Sequence, residues 1–207
     1  MTTATRSVKK IRKFRLHPRP SAVLRNLKSL LDETQPTPEL EKAVEAEMRA
    51  AESRLDTSAL FETVTPAQAP VWMGPLWGPD PNSVPDQKPP VAQTLFVVTI
   101  GTAFETDLSE ALSRGEGLRS RILTALGEEL ADQAAVFVER LVAEEARQES
   151  CELEDRRTFS ASSDIQSVLD LLDAGRLSIS YDAAGHLAPR FTRVGALPWG
   201  PPAKKKK

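Results

Sequence analysis

Residues 93–100, QTLFVVTI, constrain this chain more than any other stretch. Seven of the eight favour strands, and the run from Leu95 to Val98 has no polar break. A strand with one wet face alternates polar and apolar residues, so an unbroken run predicts a central strand covered on both faces. Gly101 ends it, and TAFE follows in the form of a capping box, with Thr102 at the N-cap and Glu105 three residues on. Phe104, Leu108 and Leu112 then give a helix one apolar side, and RGEG interrupts it. A long helix is expected over about 118–147, with Leu118, Ile122, Leu126, Ala134, Phe137, Leu141 and Val142 inward. At ~1.5 Å per residue it would span roughly 45 Å. Gly127 inside it costs about 1 kcal/mol relative to alanine. That points to close approach by another backbone or a ligand, close packing being the more frequent cause.

The flanks supply the rest of the architecture. Residues 1–20 read as a basic, flexible arm closed by HPRP. Ser21 can cap a helix carrying Leu24, Leu27, Leu30 and Leu31, which Pro36 ends. TPEL restarts a helix, since Thr37 suits the N-cap and Pro38 the first helical position. Leu40, Val44, Met48, Ala51 and Leu55 form its stripe. Residues 65–90 hold eight prolines and two tryptophans, Trp72 and Trp77. Disordered segments are poor in aromatics, so this loop is read as docked on the body, with a partner surface as the alternative. Farther on, Asp164 can cap a short helix with Ile165, Val168, Leu169 and Leu172, which Gly175 stops. RLSISYD alternates as a half-buried strand. HLAPRFTRVGALPW is expected to return as an antiparallel edge, because Pro189 suits an edge. The fold class is α+β: an antiparallel sheet flanked by helices, one of them long. A single domain is expected over 21–198, with a basic tail at 199–207.

Composition excludes several chemistries. The only cysteine is Cys151, and the two histidines, His17 and His186, have no Cys, Asp or Glu at ligand spacing. Neither a disulfide framework nor a metal site is expected. No Walker, dinucleotide or Gly-x-Ser-x-Gly pattern occurs, and no catalytic residue is named. No stretch approaches the ~20 apolar residues of a membrane helix, and the N-terminus lacks a signal-peptide core. A cytoplasmic location is the simplest expectation. Net charge is −2 but uneven: the first 30 residues hold nine Lys or Arg and no acid, and the chain ends in KKKK. The preferred reading of these ends is solvated termini. Nucleic-acid binding is not expected, because the basic part offers only Phe14 for stacking. Glu128, Glu129, Asp132 and Glu139 on the long helix are read mostly as a solvated face.

Three stretches in order resemble the activation domain of cobalamin (vitamin B12)-dependent methionine synthase, in its short stand-alone form. AVLRNL at 22–27 is similar to the opening of that family's leading helix. The segment from Phe96 to Asp132 carries the Thr-Ile-Gly strand end, a Gly-containing break and Ile-Leu-x-Ala-x-Gly in the long helix. Residues 165–197 resemble a Gln-led helix ending Leu-Leu, a strand, and a Pro-bearing strand that closes the domain.

The resemblance implies a domain that binds S-adenosylmethionine and presents it for reductive methylation of a corrinoid on a partner methionine synthase subunit. A flavodoxin-type protein would donate the electron, and the domain would supply position rather than a proton. It also implies three cofactor-binding residues. Arg157 would grip the ligand's carboxylate, Asp132 would pair with its amino group, and Gly101 would lead from the sheet into the groove wall. After Arg157 this chain reads TFSASSDIQ where the family has a Pro-Gly-Tyr-type turn. That departure keeps a second reading open: a non-catalytic binding or scaffold protein of the same fold that has lost the ligand.

Overall fold

A computed structural model of the chain describes residues 7–31, 37–78, 88–159, 161–182 and 184–201. Expectations for Pro36, for the prolines between 79 and 85, and for both extreme ends fall outside these residues. The elements run β1 (Lys9–Arg12), α1 (Pro20–Leu31), α2 (Pro38–Ala51), β2 (Ser58–Val64), a 3-10 segment (Val71–Trp77), β3 (Ala92–Thr99), α3 (Ala103–Ser113) and α4 (Gly117–Gln148). They continue with β4 (Glu152–Leu153), β5 (Arg157–Thr158), α5 (Ser162–Leu171), a 3-10 turn (Ala174–Leu177), β6 (Ser180–Tyr181), β7 (Leu187–Ala188) and β8 (Thr192–Gly200).

One antiparallel sheet has the order β1-β2-β3-β8, with β4 and β5 both pairing the far side of β8. β3 is buried along its whole length, as its unbroken apolar run requires. Its alternate residues feed two cores. Phe96 and Val98, with Phe61, Leu197 and Trp199, face the helical layer of α4, α1 and α3. Leu95 and Val97, with Leu60 and Ala196, face Met73 of the 3-10 segment and Val168 and Leu169 of α5. Trp199 anchors the helical side by donating its Nε1–H to Thr94 Oγ1 at 2.8 Å, and Thr94 shares a 2.7 Å bond with Thr63. The Pro/Trp loop is therefore docked along 71–77: Met73 is fully buried, and Trp72 and Trp77 pack on the second core.

Local rules explain some element ends and fail at others. Thr37 caps α2, accepting from the Leu40 N–H at 3.3 Å. α4 matches its expected span, and a Cβ on Gly127 would sit 2.4 Å from the Phe191 ring, so glycine is there for close packing. The box at Thr102 does not form. Its side chain makes no capping bond, and Glu105 instead accepts from the Arg190 backbone N–H at 3.1 Å. Asp164 sits in the first turn of α5, not at its cap, and the chain leaves that helix through Asp173 at φ +52°, not through Gly175. Only Ser180 and Tyr181 of the alternating stretch form a strand, paired with β7.

Two corrections concern the sheet. Of the segment read as an antiparallel edge, Leu187–Ala188 form β7, which pairs antiparallel with β6, but the part from Thr192 is β8, a central strand: Pro189 lies before it, and Pro198 within it still accepts from the Glu154 N–H through its carbonyl. Residues 9–12, expected within a flexible arm, form β1 against β2. Lys9 explains how a basic strand can do this: its ammonium lies over the Phe61 ring, 5.7 Å from the centroid, and meets Glu145 at 2.7 Å. β2 itself, SALFETV, was not anticipated.

Candidate functional site

The basic segment 13–19 lies as a strap across α4. Lys13 adopts φ +57°, and its N–H reaches Thr57 O at 2.7 Å. Thr57 Oγ1 donates back to Phe14 O at 2.6 Å. Phe14 stacks on Phe137 of α4 with centroids 4.2 Å apart. His17 N–H donates to Gln133 Oε1, and Arg19 Nε donates to Glu129 Oε1 at 3.0 Å. Glu129 is almost fully buried, so it does not belong to a solvated face. Gln133 Nε2 gives that same oxygen a second bond at 2.7 Å, which satisfies the buried charge.

Two cavities open on the two sides of this strap and share Arg15, Leu16 and His17. One, of about 320 Å³, is walled by Arg19, Asp132, Gln133, Val136, Phe137 and Arg140. The other, of about 570 Å³, is walled by Lys13, Phe14, Glu52, Leu55, Asp56 and Thr57. Both volumes fall near the range of small-molecule sites.

Asp132 lines the first cavity, but one oxygen is already held: Arg193 of β8 donates its Nε–H to Oδ1 at 2.8 Å and a second N–H to Glu128. Burial works against the Arg193 charge, yet the Asp132 and Glu128 carboxylates more than offset it and hold its pKa above the usual arginine value. Gly101 stands behind the second cavity at φ +90°. A Cβ there would lie 3.0 Å from the Asp56 side chain and 3.1 Å from its carbonyl. The glycine at the end of β3 thus lets the 55–57 loop cross tightly, with Asp56 N–H bonded to Ile100 O at 3.0 Å.

Arg157 is not brought to these two. It pairs with Ala196 and points to the sheet face away from α4. Its guanidinium donates to Leu76 O at 2.9 Å and, through two nitrogens, to Gly78 O at 3.2 Å. Arg157 therefore clasps the end of the Pro/Trp segment. Among the described residues, no group of three or more His, Cys, Asp and Glu is placed to hold a metal ion. No helix among them is long and apolar enough to cross a membrane.

Comparison with solved structures decides the fold. It is that of the MetH reactivation domain. A crystal structure described as the MetH reactivation domain bound to AdoHcy superposes with a TM-score of 0.63 at 10% identity, covering 97% of this chain and 80% of that one. No protein-family model and no curated protein matches the sequence. The shared architecture is the curled antiparallel sheet with helices and one long helix, as the resemblance implied.

Arg15, Arg19, Arg140, Glu129 and Arg193 were not singled out as site residues from the sequence. Arg193 could have been found: it stands on the same side of its strand as Leu197 and Trp199, both of the helical core. Arg15 and Arg140 carried no such signal, because exposed arginines on a strap and a helix look solvated.

Proposed function

We propose that the chain is a divergent activation-domain-like protein of cobalamin-dependent methionine synthesis. It would bind an S-adenosyl ligand and present it to the corrinoid of a separate partner subunit in the cytoplasm. The observation that supports this is the likeness of nearly the whole chain to a domain solved with AdoHcy. The ligand would bring the transferable methyl, the partner its corrinoid, and a flavodoxin-type donor the electron. This chain would bind and orient, which is where such a domain acts. Asp132, steadied by Arg193, would face the ligand's amino group, and Gly101 would keep the neighbouring loop in register. Arg157 clasps Leu76 and Gly78 on the other sheet face, and since the ligand's amino and carboxylate groups share one carbon, the carboxylate would take a different donor on the Asp132 side.

A specific observation favours the second reading. Arg157 is engaged on the opposite sheet face from Asp132, which supports a protein that keeps the fold and acts through protein contacts without the ligand. Calorimetric titration with S-adenosylmethionine, with S-adenosylhomocysteine beside it, separates the two. Saturation at micromolar concentration is expected on the first reading. Absence of heat up to about 1 mM, an affinity near −4 kcal/mol, leaves the second.

A further inference from the structure

The helix α4 presents Glu129, Gln133, Val136, Phe137 and Arg140 along one stripe toward the strap. Each acid beside that stripe has a partner: Glu129 has Arg19 and Gln133, Asp132 has Arg193 on one oxygen, and Glu139 has Arg156 at 2.9 Å. Two guanidiniums are left over. Arg15 and Arg140 line the 320 Å³ cavity, and among the described residues neither side chain makes an ion pair or a hydrogen bond. Like charges on one small cavity repel, and the repulsion is relieved when an anion sits between them. A guanidinium offers parallel donors that match the oxygens of a carboxylate or phosphate. The strap backbone around Arg15 is held on both sides, at Lys13 and Phe14 by Thr57 and at His17 by Gln133, which keeps the root of this side chain beside the cavity. Leu16 and Val136 supply an apolar floor.

We propose that this cavity is a binding site for the oxyanion of a small metabolite, a carboxylate or a phosphate, bridged by Arg15 and Arg140. The proposal does not need the S-adenosyl reading, but Asp132, which that reading sets against the ligand's amino group, walls the same cavity, so the two ligands would compete for it. Its probes are inorganic phosphate and succinate, each titrated with no S-adenosyl ligand present.

The full chain is titrated with each probe by calorimetry at low salt. The expected result is saturable binding of at least one probe that weakens as salt rises. Arg15→Ala and Arg140→Ala should each reduce its affinity roughly 10- to 100-fold, the range for losing hydrogen bonds to a charged group. Tighter phosphate binding assigns a phosphate ester, and tighter succinate binding assigns a carboxylate. Both side chains are exposed, so the variants should keep the parent's circular dichroism. As a safeguard, Arg140→Lys should retain part of the affinity. Absence of saturation by both probes up to about 10 mM overturns the proposal. So does binding that both alanine variants leave unchanged.

Discussion

Arg157→Ala should loosen the Pro/Trp segment before it affects anything else. The arginine side chain is 13% exposed, so its bonds act with little solvent screening. It serves two carbonyls, and they are not equivalent. Leu76 O keeps a second donor, Gln93 Nε2 at 2.7 Å, after the arginine is removed. Gly78 O loses both bonds it receives from Arg157. A hydrogen bond to a charged group is worth ~1.5–3 kcal/mol, and one carbonyl is effectively stranded, so a loss of about 2 kcal/mol follows. For a domain of this size that lowers the melting temperature by roughly 4–8 °C. Denaturant unfolding followed by circular dichroism gives the free energy. Tryptophan emission gives the location, because Trp72 and Trp77 pack on the core under this clasp. The emission should shift to the red at lower denaturant than the dichroism changes, since the segment opens as a unit of lower stability. A variant with parental stability and parental emission would refute the clasp. If it also lost affinity for an S-adenosyl ligand, Arg157 would be a ligand residue instead.

Other expectations test the rest of the structure. Gly127→Ala should destabilise by about 1–2 kcal/mol in urea, because overpacking against Phe191 outweighs the gain in helix propensity, and adding Phe191→Leu should recover most of the loss. Arg193→Met should cost about 1 kcal/mol in the same assay, a modest figure because its partners Glu128 and Asp132 are 42% and 52% exposed. The Asp182 carboxyl lies below the usual carboxylate range because the His186 backbone N–H donates to it at 2.8 Å. A depressed native value means the bond steadies the β6–β7 turn fully above about pH 4 and is lost as pH falls through the native value. The His186 amide proton followed by NMR should show that acid transition, and Asp182→Asn should abolish it.

Much of the fold was legible where one physical force dominated. The run Leu95–Val98 could only be a strand covered twice, and Thr37-Pro38 could hardly be anything but a helix start. Close packing at Gly127 followed from the cost of a glycine there. Legibility failed where tertiary partners overrode local signals. Lys9–Arg12 looked solvated because basic residues dominate it, yet its backbone completes the sheet while its side chains reach Glu145 and Phe61. Glu62 and Thr63 hid β2, although Glu62 is buried and Thr63 bonds Thr94 across the strands. Glu105 had the right spacing for a capping box and was drawn to Arg190 instead. The site suffered most, since Arg157 and Asp132 were aligned by motif and the sheet separates them. The arginines at the strap cavity become visible only when the acids beside them are seen to be spoken for.

The central position of β8 has a consequence for how the chain reaches this structure. Trp199 meets Thr94 across 105 residues, and the whole β3–β8 ladder shares that long separation. Non-local pairing of this kind closes a large loop before it yields any stabilisation, so folding should be slow for a domain of this length. Until β8 arrives, the most hydrophobic strand has one bare edge, with Phe96, Val97 and Val98 offering their backbone to any neighbour. A ribosome paused before residue 192 would therefore hold a nascent chain prone to self-association. Chaperone dependence during synthesis, and inclusion bodies when synthesis outruns folding, are the practical marks to look for.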